Sequence, residues 1–114
     1  MAYRIEKINH LLRKETTNLL RTKVKDPRLS HPFSITEVVT SADLSYAKVY
    51  VSGFLNEQQK AETMEGLMSA SNFIRSELGR SLKLKQIPKL NFEWDDSIER
   101  GTHILEILEQ LSHS

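Results

Sequence analysis

Apolar residues recur at helical spacing over the first part of the chain. The positions that share one side of a helical projection are Ile5, Ile8, Leu12 and Leu19. No glycine or proline interrupts residues 3–22, so this stretch is predicted to form an amphipathic helix. Because a residue that precedes proline disfavours the helical conformation, Pro27 predicts that the helix ends at or before Asp26.

Two segments rich in β-branched and aromatic residues follow, at residues 33–40 and 47–54. Their composition and alternating pattern predict two strands of a hairpin, joined by turn-forming side chains in residues 41–45. The apolar phase slips between Ile35 and Val38, which predicts a bulge in the first strand.

A second helical region begins after Asn56, which has Gln59 three residues later in the spacing of a capping box. Small and backbone-competing residues stand in the middle of this region. The triplet Ala70, Ser71 and Asn72 is therefore predicted as a kink between two helices, because Asn tolerates a left-handed backbone.

The last part of the chain shows one strand pattern and one helix pattern. Apolar and polar residues alternate over residues 90–94, after Pro88. Asp96 and Glu99 then have capping-box spacing and are predicted to open a final helix. The apolar stripe of that helix comprises Ile104, Ile107, Leu108 and Leu111.

The order of elements is thus helix, strand, strand, kinked helix pair, strand, helix. This order predicts an α+β fold of two layers, with helices on one face of a three-stranded sheet and the kinked pair between strands two and three. Neither an internal repeat nor a long linker divides the chain, so residues 1–114 are predicted to form a single domain.

Composition narrows the class of protein. With 39% apolar residues, 27% charged residues, 4 Gly and 3 Pro, the chain matches a globular protein and excludes collagen-like or mostly disordered ones. The absence of cysteine excludes disulfides, thiolate metal sites and cysteine nucleophiles. The first residues carry charge and lack the apolar run of a secretory signal, so we expect a cytoplasmic protein.

The formal net charge of +1 hides two basic blocks. Residues 1–28 hold eight basic and three acidic groups, for a net charge of +5, and residues 73–89 hold five basic groups and one acidic group, for +4. The rest of the chain therefore carries −8. Charged runs often only solvate helix faces, but two such blocks in a nearly neutral chain favour a local patch for a polyanion.

The candidate phosphate-binding residues come from these two blocks. The later block supplies Arg75, Arg80, Lys83, Lys85 and Lys89. The earlier block extends the patch with Lys23, Lys25 and Arg28 if the first helix ends on the same side of the molecule. Pairing of Arg75 with a carboxylate stays open as the alternative to phosphate contact.

Nothing in the sequence indicates an active site, a metal site or a cofactor. Asp95 and Asp96 precede the last helix, where carboxylates cap exposed N–H groups. No nucleophile-elbow, phosphate-loop or dinucleotide motif occurs, and the histidines lack ligand spacing. These histidines are His10, His31, His103 and His113. The sequence therefore predicts a protein that is not an enzyme.

Four motifs occur in order: residues 25–28 (Lys-Asp-Pro-Arg), residues 43–51 (Asp-Leu-Ser-Tyr-Ala-Lys-Val-Tyr-Val), residues 73–78 (Phe-Ile-Arg-Ser-Glu-Leu) and residues 96–99 (Asp-Ser-Ile-Glu). Together they resemble the bacterial ribosome-binding factor A family, over roughly residues 3–111. The resemblance implies a type II KH-like domain. Like the family, the chain lacks the GXXG loop with which ordinary KH modules clamp nucleotides.

The family typically has an Ala-x-Gly kink between its central helices, and here Asn72 stands where glycine is usual. The resemblance implies a non-catalytic assembly factor that binds the small (30S) ribosomal subunit and its rRNA during late maturation and rRNA processing, with a role in cold adaptation. It also implies RNA binding by the helix pair and the adjoining basic residues, work alongside a ribosome-associated GTPase, and a monomer. The alternative function is a protein–protein interaction module that docks partners on its acidic face.

Overall fold

A computed structural model describes the backbone of residues 2–112 and the side chains of residues 4–97 and 105–112. The helices within this range are α1 (Ala2–Thr22), α2 (Glu57–Ser81) and α3 (Ser97–Ser112). The strands are β1 (Ser34–Thr40), β2 (Tyr46–Ser52) and β3 (Lys89–Trp94), and a short 3₁₀ turn, Pro27–Leu29, links α1 to β1. The predicted first helix, hairpin and third strand are confirmed.

The sheet has the strand order β1-β2-β3, with β1 antiparallel and β3 parallel to the central strand. Ile35 pairs with Val51 and Glu37 pairs with Tyr50, so the pairing skips Thr36. This extra residue in β1 confirms the predicted bulge.

The core lies between one face of this sheet and the two long helices. The buried apolar side chains are Ile8, Leu12 and Leu19 of α1, Leu67, Ile74 and Leu78 of α2, and Ile35, Val38, Ala47, Val49, Val51, Leu90 and Phe92 of the sheet. On β2 the inward positions alternate with the half-buried Lys48 and Tyr50 of the opposite face. This arrangement confirms the predicted α+β fold of two layers.

α2 begins at the predicted capping box. The Asn56 Oδ1 atom accepts a hydrogen bond from the Gln59 N–H at 2.8 Å, and the Gln59 Oε1 atom accepts one from the Asn56 N–H at 3.0 Å. Two N–H groups that the helix itself leaves without a partner are thereby satisfied.

The predicted division into two helices is wrong, because α2 is a single helix of 25 residues that runs through Ala70, Ser71 and Asn72. The backbone of Asn72 does not adopt a positive φ. The Ser71 hydroxyl donates to the Met68 carbonyl at 2.9 Å, which satisfies it within the helix. Buried side chains on both sides of the triplet hold α2 on the sheet, and such packing outweighs a weak local propensity.

α3 follows β3 and exposes the apolar side chains that the structure describes. The exposed fractions are 67% for Leu105, 42% for Ile107, 56% for Leu108 and 66% for Leu111. At the start of the helix, the Asp95 Oδ1 atom accepts from the Ser97 N–H at 2.9 Å, in the capping role expected there. The side chains of Glu99 and Ile104, which belong to the predicted capping box and stripe, lie outside the described residues.

Candidate nucleic-acid interface

The end of α1 and the middle of α2 meet at a shallow groove of about 280 Å³, which we call the junction groove. It is lined by Lys23, Val24, Lys25, Asp26, Ser69, Ala70 and Phe73. The N–H groups of Lys23 and Val24 both bond to the Leu19 carbonyl, at 2.9 and 3.1 Å, which ends α1 at this point. The fold thus brings part of the first basic block to the triplet that was predicted as a kink.

The turn after α1 is fastened to α2 by Arg28. Its guanidinium donates to the Asp26 carboxylate at 2.6 Å (from Nη2) and to the Glu65 carboxylate on α2 at 2.9 Å (from Nη1). The backbone also approaches α2 closely, because a Cβ atom on Gly66 would lie 2.9 Å from the Leu29 Cδ2 atom. Arg28, predicted to bind phosphate, is therefore held by two carboxylates of its own chain.

The same contacts shift the pKa values of the pair. The Arg28 guanidinium lowers the pKa of the Asp26 carboxyl below its ordinary value of 3.8, mainly by donating side-chain hydrogen bonds. The Asp26 carboxylate in turn raises the pKa of Arg28. Both groups therefore remain charged at neutral pH, and each offsets the field of the other.

Lys23 and Arg80 share one acid at the rim of the junction groove. The Lys23 Nζ atom lies 3.1 Å from Glu77 Oε2, and the Arg80 Nη1 atom lies 3.4 Å from Glu77 Oε1. Both cations remain largely exposed, with side-chain exposed fractions of 56% and 76%. Ion pairs at such exposure are worth little, so both cations remain available to phosphates.

Arg75 and Arg80 do not lie on the same side of α2. The two are five residues apart in α2, so they project in directions about 140° apart around the helix. Arg75 donates two hydrogen bonds to the Ile87 carbonyl, at 3.2 Å (from Nε) and 3.0 Å (from Nη2). It therefore ties the segment before β3 to α2, and it does not form one patch with Arg80.

The three remaining cations of the second block lie on or beside that segment. Lys83 and Lys85 are exposed and alternate with Leu82 and Leu84, which pack against the core. Lys89 is exposed at the start of β3. Within the described part of the chain, none of these lysines has an ion pair or a side-chain hydrogen bond. The predicted site is thus divided between the junction groove and the segment before β3.

Three further exposed cations are not among the phosphate-binding residues that the sequence predicts. Arg13, Lys14 and Arg21 are exposed on the polar side of α1 and have no ion pair with the described residues. The signal that points to them is spacing, because positions 10, 13, 14, 17 and 21 recur at intervals of three and four residues. They line a different cleft from the junction groove.

The described residues include neither a helix able to span a membrane nor a cluster able to hold a metal ion. None of the described helices combines the length and apolarity that a membrane span requires. The described side chains also include no group of three or more His, Asp or Glu residues placed to hold a metal ion.

Comparisons with known proteins agree over nearly the whole chain. The family model described as Ribosome-binding factor A matches residues 4–108. A ribosome-binding factor A from Acetivibrio thermocellus is 47% identical over 109 residues, which cover 96% of this chain and 89% of that protein.

Two structures of relatives have the same fold. A solution NMR structure of a Thermotoga maritima ribosome binding factor A matches with a TM-score of 0.74 and 32% identity, over 87% of this chain and 93% of that one. A Thermus thermophilus ribosome binding factor A, fitted as a homology model into a cryo-EM map of a 30S complex, matches with a TM-score of 0.62 and 24% identity, over 77% and 91% of the two chains. The fold is therefore KH-like, and this chain belongs to the ribosome-binding factor A family.

Proposed function

We propose that this chain is a non-catalytic assembly factor that binds the small ribosomal subunit through its rRNA. It acts in the cytoplasm as a monomer during late maturation and rRNA processing, and it supports ribosome assembly in the cold. Family membership supports this proposal. So does the Thermus thermophilus relative, whose coordinates were fitted into a map of a 30S complex.

The observation that carries the proposal is the grouping of exposed cations around an exposed aromatic ring. Phe73, with an exposed fraction of 45%, lines the junction groove together with Lys23 and Lys25. Arg80 is seven residues from Phe73, or about two helical turns, and therefore lies on the same side of α2. Cations beside an accessible ring suit phosphates beside an unstacked base.

This surface works by binding energy alone. The continuous α2 has no GXXG loop to clamp the nucleotide backbone, so positioning depends on the cations and on Phe73. A protein that binds one rRNA conformation more tightly than another shifts the population toward the first. Such a shift favours correct maturation without a chemical step.

The test is association with immature small subunits, measured by cosedimentation at several salt concentrations. The triple variant Lys23→Gln, Lys25→Gln, Arg80→Gln removes three charges without adding acids. We expect its log–log salt dependence to be shallower than that of the wild type by about 2 to 3, because each lost phosphate contact removes about 0.7–0.9. The matched control Arg4→Gln, Lys7→Gln, Lys48→Gln makes the same change in charge at other exposed or half-buried positions.

Two outcomes would contradict the proposal in different ways. If the folded triple variant sediments as the wild type does, the junction groove is not the rRNA surface. If the wild type itself fails to associate with immature subunits, the proposed function is wrong.

A protein-docking function, including docking of a ribosome-associated GTPase, is the second candidate. The observation that favours it is α3, where exposed leucines lie beside the exposed carboxylates of Glu106 and Glu109. Binding to purified proteins that is insensitive to salt, together with no affinity for RNA, would favour this function over the first.

A further inference from the structure

A cleft follows the side of α1 that faces β1. Its first part has a volume of about 560 Å³ and is lined by His10, Arg13, Lys14, Glu15, Thr17, Asn18, Arg21 and Ile35. A second hollow of about 430 Å³ continues it toward residues 29–34 and shares Thr17, Arg21 and Ile35 with the first. We call the two together the α1–β1 cleft. It meets the junction groove at Val24, which lines both.

The first part of the cleft carries a row of cations that the protein does not neutralise. Within the described part of the chain, Arg13, Lys14 and Arg21 have no ion pair and no side-chain hydrogen bond, and Glu15 is the one carboxylate in the described lining. Arg13 and Arg21 are eight residues apart in α1, which corresponds to about 12 Å along the helix. That length corresponds to the axial rise of about three nucleotides of a stacked strand, at about 3.4 Å each.

The second hollow has a different character. Its lining is mainly apolar and comprises Leu20, Val24, Leu29, Pro32, Phe33 and Ile35. Polar groups stand among them: the hydroxyls of Thr17 and Ser34, the Arg21 guanidinium and the His31 ring. The His31 ring is held in place by Glu62, whose Oε2 atom lies 2.9 Å from Nε2. An apolar floor with a few hydrogen-bonding groups suits the flat face and polar edge of a nucleobase.

We propose that the α1–β1 cleft binds a single-stranded RNA segment, with phosphates along Arg13, Lys14 and Arg21 and one base in the hollow beside Phe33. The choice of RNA as the partner rests on the proposed function, but the surface is distinct from the junction groove. A hollow of this size admits an unstacked base and not a duplex, whose bases are stacked inside. An acidic peptide would satisfy the cations but would leave the apolar hollow without a matching group.

The test uses a short, labelled single-stranded oligouridylate and measures its binding to the full chain by fluorescence anisotropy at several salt concentrations. The cleft variant is Arg13→Gln, Lys14→Gln, Arg21→Gln, and the matched control is Arg4→Gln, Lys7→Gln, Lys48→Gln, which removes the same charge outside both proposed surfaces. The six side chains are exposed or half-buried, so circular dichroism is expected to show an intact fold for both variants. We expect the cleft variant to bind at least tenfold more weakly, with a log–log salt slope shallower by about 2, and the control to lose clearly less affinity.

A second arm tests the base in the hollow. An abasic strand with the same number of phosphates is expected to bind about tenfold more weakly to the wild type, because stacking of one base contributes about 1–3 kcal/mol. Equal binding of the cleft variant and the wild type would overturn the proposal. So would displacement of the RNA by polyglutamate of equal charge at the same concentration, which would identify the cleft as a site for acidic peptides.

The two proposals fail separately. Loss of oligouridylate binding by the cleft variant, with normal cosedimentation on immature subunits, would support the cleft and show that it is not needed for subunit binding. Failure of the wild type to cosediment would count against the proposed function and leave the oligouridylate result as it stands.

Discussion

The junction groove takes its cations from the segment after α1 and from α2, whereas the α1–β1 cleft takes its cations from α1 itself, and the two sets differ in their carboxylate partners. At and beside the junction groove, Arg28 contacts two carboxylates and Lys23 shares Glu77 with Arg80. In the cleft, Arg13 and its neighbours meet no carboxylate partner among the described residues. The cations of the first surface are offset in part by exposed ion pairs within the chain, whereas those of the second have no such partner among the described residues.

This difference shows why a count of basic residues overstates a binding surface. A cation and the carboxylate that it contacts form a dipole, whose electric field falls off over a short distance. The field of an exposed cation without a partner extends over about one Debye length, roughly 10 Å at 0.1 M salt. Residues 1–28 carry a net charge of +5 however their members are paired. The net charge of a segment can be read from the sequence. Which of its cations are free to contact a ligand depends on the fold.

The largest expected effect is a loss of stability when the contact between the Arg28 turn and α2 is disrupted. Gly66→Val would place a branched side chain where even a Cβ atom lies 2.9 Å from Leu29 and 3.2 Å from the Arg28 Cβ atom. We expect the free energy of unfolding to fall by about 1–3 kcal/mol, as for overpacking in general. Urea denaturation followed by circular dichroism measures this change.

Gly79→Val is the matched control, since Gly79 lies in the same helix and its added Cβ would meet only the Ile87 Cγ1 atom, at 3.8 Å. We expect the control to change stability by no more than about 0.5 kcal/mol. Equal losses for the two variants would show that the turn is not seated on Gly66.

Much of this fold could be predicted because its signals are local. The Asn56 capping box, the slip in the apolar phase of β1 and the helical spacing of α1 each depend on residues within one element. The contact between Arg28 and Glu65 could not be predicted in the same way, because Glu65 is 37 residues away and lies on α2. The role of Arg75 was missed for the same reason, since its acceptor, the Ile87 carbonyl, is set by the path of the segment before β3.

The next largest effect is a loss of stability at acid pH, which we expect mainly at the Arg28 turn. A carboxyl whose pKa is lower in the folded protein contributes stability above its ordinary pKa and loses it as the pH falls through the folded value. Because Arg28 lowers the pKa of Asp26 below 3.8, the wild type should lose stability as the pH falls below about 4. Asp26→Asn should be less stable than the wild type at pH 7, and the two unfolding curves should converge at low pH.

The measurement is the free energy of unfolding between pH 7 and pH 2. Some acid loss should persist in Asp26→Asn, because a hydrogen bond from His31 also lowers the pKa of Glu62 below 4.5. Glu106→Gln, on exposed α3, is the control and should follow the wild-type curve. A constant difference between Asp26→Asn and the wild type across the whole range would refute a pH-linked role for Asp26.

The left-handed backbone shows how local signals mislead. Asparagine tolerates positive φ, which led to the prediction at Asn72, yet among the described non-glycine residues it is Leu44 that has positive φ, at 62°. The hairpin turn sets this conformation. The Asp43 carboxylate accepts from both the N–H and the hydroxyl of Ser45, and the Leu44 N–H bonds to the Ser41 carbonyl at 2.9 Å. The hydrogen bonds of the hairpin turn thus outweigh the preference of a single residue type for positive φ.

The smallest expected effect is a change in the free energy of unfolding on substitution of Asn72. Its sign shows whether the backbone beside the junction groove is helical or left-handed. Asn72 is exposed inside α2, and Ala70 of the same helix lines the groove. If the helix is continuous, Asn72→Ala should raise the free energy of unfolding by about 0.5 kcal/mol, and Asn72→Gly should lower it by a few tenths, following helix propensity. A left-handed residue at this position would reverse the order, because alanine would be strained there and glycine would not. Thermal and urea unfolding of the two variants side by side therefore distinguish a continuous helical wall from a hinge, whatever the groove binds.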